Sequence, residues 1–314
     1  MAKTGFVYHK DYLYHVPSQG HPESPQRLEK IVSQLQNSGT MAQLTQITPK
    51  KAEYKYIEEI HSTQYIVRLQ DACDKYMRYL DGRDTEISSQ SFTVALLAAG
   101  GAIEASRAVC EGEVDNAFCA LRPPGHHATR HKAMGFCLFN NIAIATRYLQ
   151  LEQNIKRVAI IDWDVHHGNG TQDAFYADNS VFYFSVHQFP HYPNTGVGDE
   201  KGSGKGYGYT LNVPLPAGSN DTDYITVFKE ILTPAIDDFN PDFLMLSVGF
   251  DPHFEDPLGG MAVTDRGFQL MTERVINLAK KYCEGRIVSM LEGGYNLGVM
   301  ARCVDSHIQS LLRA

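Results

Sequence analysis

Arg157-Val158-Ala159-Ile160-Ile161-Asp162-Trp163-Asp164-Val165-His166-His167-Gly168-Asn169-Gly170 is the stretch whose reading decides the fold. Its first five residues read as a short buried strand. The remainder sets two carboxylates, two imidazoles and an amide side by side. In open α/β sheets, ligands sit just beyond the carboxyl ends of the strands. If the chain stays extended past Ile161, side-chain alternation puts Asp162, Asp164 and His166 on one face. Asp164 and His166 then offer one ion an oxygen and a nitrogen. A catalytic zinc usually takes three protein ligands and keeps a position for water, so a third ligand must come from elsewhere. An isolated Asp-x-His is more often a solvated strand cap than a site; the other strand ends decide between the two.

Working outward, apolar runs predict strands over 5–8, 117–121, 181–186, 209–213, 243–248 and 287–291. Phe243-Leu244-Met245-Leu246-Ser247-Val248 is apolar enough for a buried parallel sheet. Helices are expected between them. One has Ser24 as its cap, Leu28, Ile31, Val32 and Leu35 as its stripe, and Gly39 as its stop. Arg27 falls in the first turn of that helix, where basic charge opposes the dipole; it is either solvated or paired elsewhere. A second helix opens at Ser62 or Thr63 with Tyr65, Ile66, Leu69, Cys73 and Tyr76 as core. Others span about 92–109, 140–149, 223–238 and 265–281, and a last one closes the chain. The loop 188–208 is long enough to suggest a function. Alternating strands and helices imply a mostly parallel sheet, of about eight strands, with helices on both faces. No linker or repeat divides the sequence, so residues 1–314 read as one domain.

Composition narrows the class. Of 314 residues, 43% are hydrophobic and 20% charged, which suits an ordinary globular core. No uninterrupted apolar run reaches the length of a membrane span, and no signal peptide is visible. The six cysteines form no Cys-x-x-Cys pair, which disfavours a thiolate zinc site or disulfide framework and suggests a reducing cytoplasm. At net charge -8 with dispersed basic residues, nucleic-acid binding is disfavoured.

The polar segments all follow strands. Arg122-Pro123-Pro124-Gly125-His126-His127 ends the strand 117–121, and a rigid Pro-Pro-Gly turn would aim the two histidines. Gly249-Phe250-Asp251 follows 243–248, and Glu292-Gly293-Gly294-Tyr295 follows 287–291. Asp251 supplies the missing third ligand, so Asp164, His166 and Asp251 would hold a metal with open coordination, whose water is activated near neutral pH. His126 and His127 can move protons, with Asp162 and Asn169 orienting them from behind. Tyr295, on a flexible Gly-Gly turn, can donate to a developing oxyanion. These parts suit metal-assisted hydrolysis of an amide.

At this point the sequence resembles the histone deacetylase family, within the arginase–deacetylase fold. The resemblance rests on the motifs just quoted, on Gly135-Phe136-Cys137 and on His21-Pro22-Glu23, and it spans nearly the whole chain. It implies Zn²⁺ on Asp164, His166 and Asp251, with Fe²⁺ also compatible with that donor set. It implies His127 as general base and then general acid, with His126 as electrostatic partner. It implies a narrow lysine tunnel walled by Phe136 and Tyr192, with Gly135, Gly293 and Leu258 nearby. Two K⁺ sites are implied, one from Asp162, Asp164, His166, Ser185 and Val186, the other from Phe175, Asp178, Val181 and Tyr209. Arg27 would line an internal acetate channel. An acidic residue gripping the substrate backbone would fall in the loop of Asp84 and Glu86. Asn169, where class I members carry an aspartate, and Asp256-Pro257-Leu258-Gly259 resemble class II deacetylases and bacterial relatives.

The expected reaction is hydrolysis of an N-acetyl or acyl lysine side chain, on a peptide or protein, to amine and carboxylate. The nearest alternative is an acetylpolyamine amidohydrolase acting on a small acylated amine. Leu258 stands where a polyamine-selective relative carries a gatekeeper glutamate, which argues against that route. A silent acyl-lysine binding module is the alternative of another class, and a homo-oligomer stays open. An arginase-type ureohydrolase fits poorly, because His126-His127 and Tyr295 are foreign to that pattern.

Overall fold

A computed structural model describes residues 2–314. Eight strands form one parallel sheet in the order β2-β1-β3-β8-β7-β4-β5-β6. They are β1 (Thr4–Val7), β2 (Thr45–Ile47), β3 (Asn116–Cys119), β4 (Val158–Asp162), β5 (Val181–Gln188), β6 (Thr210–Leu215), β7 (Phe243–Val248) and β8 (Ile287–Leu291). The β4 segment is central, with Asp162 level with Ser185 of β5 and Ser247 of β7. Strands β3, β4, β7 and β8 are buried along their whole length. Continuous Val, Ile, Leu and Phe runs are what a parallel sheet covered on both faces requires.

Ten helices cover it: α1 (Gln26–Asn37), α2 (Tyr54–Ile60), α3 (Thr63–Asp74), α4 (Ser91–Cys110), α5 (Asn141–Glu152), α6 (Asn169–Phe175), α7 (Asp221–Val227), α8 (Thr233–Phe239), α9 (Asp265–Tyr282) and α10 (Leu297–Leu312). α4 and α5 pack on each other and on the sheet; α1, α9 and α10 form a second group that also reaches the sheet. α4 is the one helix among the described residues long and apolar enough to cross a membrane. The sequence reading expected no such segment, but 83% of the apolar window of α4 is buried inside the protein, so it reads as a core helix.

Several local expectations change. Ser24 does not cap α1 by its side chain; Pro25 occupies that position. Tyr76 is not core: α3 ends at Asp74, Tyr76 turns to φ 55° and is 81% exposed. The helix expected over 223–238 is three pieces, α7 and α8 joined by a π turn at Phe228–Leu232. β2, α2 and α6 were not foreseen.

Two core histidines are held neutral. His61 bonds through Nδ1 to the Thr129 carbonyl at 2.9 Å, while its Nε2 accepts from the Asn140 N–H at 2.9 Å. His307 sits between Thr272 and Ser289 hydroxyls at 2.8 and 2.9 Å. Burial lowers both imidazoles to about 3. An unfolded histidine titrates near 6.5, so the unfolded chain binds more protons between pH 3 and 6.5. This contribution is therefore complete above pH 6.5 and is lost as pH falls. Unfolding free energy from urea titrations should drop by about 1.4 kcal/mol per pH unit for each such histidine below pH 6.5. His307→Gln should flatten the slope by roughly one proton; an unchanged slope would show that His307 is already charged in the fold.

Candidate active site

The carboxyl ends of β3, β8, β7, β4 and β5 deliver the site. The chain does not stay extended past β4. Asp164 N–H folds back onto Asp162 Oδ1 at 3.1 Å and His166 N–H onto Asp164 Oδ1 at 2.9 Å. Asp162, still within β4, turns to His126, at 3.1 Å from Nδ1, while the chain beyond it departs from the extended path that would keep all three side chains on one face. Asp164 and His166 stay together, with Nδ1 of His166 3.0 Å from Asp164 Oδ1. Asp251, from the end of β7, completes the group; donor atoms of Asp164, His166 and Asp251 lie within 4.8 Å of one another.

This donor set fits a divalent cation. Asp251 Oδ1 accepts from Val165 N–H at 2.9 Å, but Oδ2 is buried without a hydrogen bond. His166 Nδ1 stands 3.3 Å from Oδ2 without hydrogen-bond geometry. Burial and the Asp164 charge push Asp251 well above the ordinary carboxylate range. A bare carboxylate oxygen in a dry pocket is costly unless a cation or donor faces it. Two carboxylates and one imidazole suit Zn²⁺ and also Fe²⁺.

Close approach of backbone to these carboxylates depends on glycine. A Cβ on Gly293 would stand 2.0 Å from Asp251 Oδ2, and one on Gly249 2.2 Å from Asp164 Oδ2. Gly293 N–H instead donates to Asp164 Oδ2 at 2.7 Å.

The histidine pair is set in opposite states. The His126 and His127 rings lie 4.0 Å apart. Burial disfavours His126 imidazolium, but Asp164, Asp162 and Glu292 outweigh it and push His126 up to about 10. Burial and the neighbouring His126 and His166 hold His127 well below its ordinary value. His127 Nδ1 bonds Asn169 Oδ1 at 2.9 Å. Because an amide oxygen only accepts, Nδ1 carries the proton and Nε2 is a free base.

A cavity of about 190 Å³ opens beside this group, lined by Asp84, His127, Gly135, Phe136, His166, His191, Tyr192, Leu258 and Tyr295. Phe136 faces Tyr295 edge-on at 5.9 Å, and Tyr192 stands perpendicular to His127 at 5.2 Å. Tyr192 hydroxyl and Gly135 N–H both donate to Asp84 Oδ2, at 2.9 and 3.1 Å. Glu86 is turned away and taken by Ser18 and Arg78, so Asp84 is the acidic residue at the mouth.

The turn carrying Tyr295 is pinned rather than flexible. Asp256 Oδ2 accepts from the Tyr295 and Asn296 N–H groups at 2.6 and 3.1 Å. Arg27 is buried, not solvated. It donates to the Gly294 and Glu292 carbonyls at 2.8 and 2.6 Å, and lies 5.1 Å over the Tyr295 ring.

Sequence reasoning quoted Glu292 and Asp256 within motifs without giving either a role, and passed over His191. Glu292 Oε2 accepts from Gly125 and His126 N–H at 2.7 and 3.2 Å, and so aims the Pro-Pro-Gly turn. An acid ending a buried strand was the available signal. The residues of the two expected potassium sets are spread over β4, α6, β5 and their flanks. Ser185, Val186 and Val181 lie buried on β5, and Ser185 Oγ is 2.9 Å from His187 Nδ1. Asp178 is paired with Arg147 at 2.7 Å, and the Tyr209 carbonyl accepts from Tyr183 N–H.

An eight-stranded parallel α/β sheet with this cluster at its carboxyl edge defines the arginase–deacetylase class. The crystal structure of the HDA15 HD domain superposes with a TM-score of 0.95 at 36% identity, over 99% of this chain and 88% of that one. The histone deacetylase domain model matches residues 21–311. A probable deacetylase of Archaeoglobus fulgidus is 44% identical over 309 residues, 95% of this chain and 85% of that protein. Histone deacetylase 5 of Arabidopsis thaliana is 39% identical over 330 residues, 99% of this chain but 49% of that protein. The chain belongs to the histone deacetylase family, and these relatives indicate a hydrolase acting on acetyl amides.

Gly135 has φ 55°, and a Cβ there would stand 2.2 Å from His127 Cδ2. Gly135→Ala should push the His127 ring off Asn169. Deacetylation should fall about 100-fold in kcat, with roughly 1–3 kcal/mol lost in stability. Steady-state kinetics beside thermal denaturation would check this; a variant with parental kcat would show that the ring needs no such support.

Proposed function

We propose that the protein is a metal-dependent lysine deacylase, removing an acetyl or short acyl group from a lysine side chain of a peptide or protein. One observation carries the reading. The buried Asp164–His166–Asp251 group, with its bare Asp251 oxygen, faces a neutral His127 and the Tyr295 phenol across one narrow cavity.

Asp164, His166 and Asp251 would hold the ion, Zn²⁺ in the first instance with Fe²⁺ as the alternative. When bound, such an ion supplies Lewis acidity and a water acidic enough to react near neutral pH. The protein's own groups do the rest. His127 Nε2 takes a proton from the attacking water and delivers it to the leaving amine. His126, held as imidazolium between Asp162 and Glu292, keeps positive charge beside the reacting acyl group. The Tyr295 phenol keeps its proton, since burial and the charge of Asp251 raise it well above its ordinary value, and donates to the acyl oxygen as charge builds there. Phe136, Tyr192 and Leu258 flank the lysine stem and exclude water, and Asp84 meets the substrate at the mouth. Arg27 lines the inner end, behind Tyr295, where acetate would leave. The potassium sets about Ser185–Val186 and Phe175–Tyr209 and a reducing cytoplasmic setting belong to the same proposal; six free thiols support the latter.

The reading favours peptide over polyamine because Leu258, not a carboxylate, stands at the cavity wall. Purified, metal-loaded protein should hydrolyse acetyl-lysine peptides at least tenfold better in kcat/KM than acetylputrescine or acetylspermidine, about 1.4 kcal/mol. A reversed preference would move the substrate to small amines and leave the site intact.

Two substitutions test the roles. Tyr295→Phe should lower kcat by about 10²–10³ with little change in KM. Asp251→Asn should lose the tightly held metal in elemental analysis. A Tyr295→Phe variant with parental kcat would remove the phenol from the reaction.

A further inference from the structure

Leu258 is gripped on both sides of its own peptide. Its N–H donates to Asp256 Oδ1 at 2.9 Å, and its carbonyl stands 3.0 Å from His191 Nε2. A carbonyl only accepts, so His191 carries a proton on Nε2 and donates. The same imidazole lies nearly flat on His166, with centroids 4.9 Å apart and planes 18° apart. The second oxygen of Asp256 holds the Tyr295 and Asn296 N–H groups. The loop following β7 thus meets the β8 loop at Asp256 and the β5 loop at Leu258, and Leu258, His191 and Tyr295 all line the cavity.

The loop is anchored again two residues on, where Gly260 N–H donates to Gln188 Oε1 and the Gly260 carbonyl accepts from Gly218 N–H, both at 2.7 Å, but at Leu258 itself the side-chain partners are Asp256 and His191. Pro257 beside it is exposed, and Leu258 and His191 are only half-buried. Polar contacts rather than core packing therefore decide how far the leucine reaches across the mouth. We propose that His191 is a positioning residue with two separable tasks. Its Nε2–H clasps the Leu258 carbonyl and sets the width of the mouth, and its ring face buttresses the His166 imidazole. Through Asp256, the width of the mouth and the place of the Tyr295 turn are set together. The inference rests on the deacylase reading and names a determinant of its selectivity between a substrate that broadens at a peptide backbone and a slim linear amine.

The two tasks predict a crossed result. His191→Phe keeps a flat ring and loses the donor. His191→Gln keeps an N–H donor and loses the ring. The probes are an acetyl-lysine peptide and a mono-N-acetylated linear diamine, on variants whose thermal unfolding matches the parent. Metal retention is read separately by competition with a chelator. His191→Phe should raise the peptide-to-diamine ratio of kcat/KM by about fivefold, mainly through KM, because a released Leu258 loop widens the mouth. It should hold metal like the parent. His191→Gln should keep the ratio within about twofold and lose metal to the chelator sooner. A ratio that follows the ring instead of the donor overturns the clasp, as do two variants with the parental ratio. Equal metal retention in both overturns the buttress. A parent that turns over neither probe would sink the deacylase reading, and this inference with it; a parent that turns over the peptide while His191→Phe keeps the parental ratio sinks the clasp alone.

Discussion

The structure depends on how buried negative charge is compensated at the carboxyl edge of the sheet. Asp162, Asp164, Asp251 and Glu292 come from the ends of three strands, and all are nearly inaccessible to solvent. Carboxylates removed from water cost several kcal/mol each unless donors or cations meet them. The local geometry answers that demand. Backbone N–H groups of Gly125, His126, Val165 and Gly293 point at carboxylate oxygens, and imidazoles of His126 and His166 fill the gaps between them. Backbone can approach so closely only where no Cβ intervenes, which is why Gly249 and Gly293 stand where they do. After this compensation one oxygen, Asp251 Oδ2, remains without a hydrogen bond, and it points to the place a cation would take.

The same charges sort the two histidines. Adjacent rings 4.0 Å apart cannot both be imidazolium at low cost. The asymmetry comes from what stands behind each ring: a carboxylate, Asp162, behind His126, and an amide, Asn169, behind His127. His126 keeps the proton and His127 remains available to take one. Two chemically identical side chains in sequence acquire opposite protonation states from their partners, a pattern in which environment alone separates a charged imidazole from a neutral one.

Much of this was readable from local pattern. Strand β4 announces itself by four apolar residues, Val158 to Ile161, and the polar clusters fall after β3, β4, β7 and β8, because a parallel sheet puts all its carboxyl ends on one edge. What was not readable depends on distant partners. Arg27 bonds the Glu292 carbonyl across 265 positions of sequence, and no local rule distinguishes it from a solvated arginine. The apolar spacing of α3 continues to Tyr76, but the helix stops two residues earlier and a positive φ throws that ring into solvent. α6 begins at Asn169 inside the polar cluster, where the run of polar and glycine residues masks the helical signal. His191 lies in a loop whose use is apparent only when the Leu258 carbonyl is brought against it.

The placement of Tyr295 shows how far the site extends beyond its own strands. Gly293 and Gly294 let the chain pass close to Asp251 and Phe250, and such a pair would by itself be mobile. Charge on both sides removes that freedom. Asp256 takes the N–H groups of the turn, and Arg27 takes its carbonyls. Arg27 sits in the first turn of α1, where the helix dipole disfavours a cation, and it is fully buried. Glu23 offsets that position, sharing one buried carboxylate between Arg27 and Arg122. Arg122 in turn holds the Tyr12 and His15 carbonyls at 2.9 and 3.0 Å. Removing either arginine would leave Glu23 as a buried charge with half its compensation. The amino-terminal segment, which lines neither the cavity nor the Asp164–His166–Asp251 group, therefore still shapes the site: its ion network fixes the inner side of the turn that presents Tyr295 to the cavity.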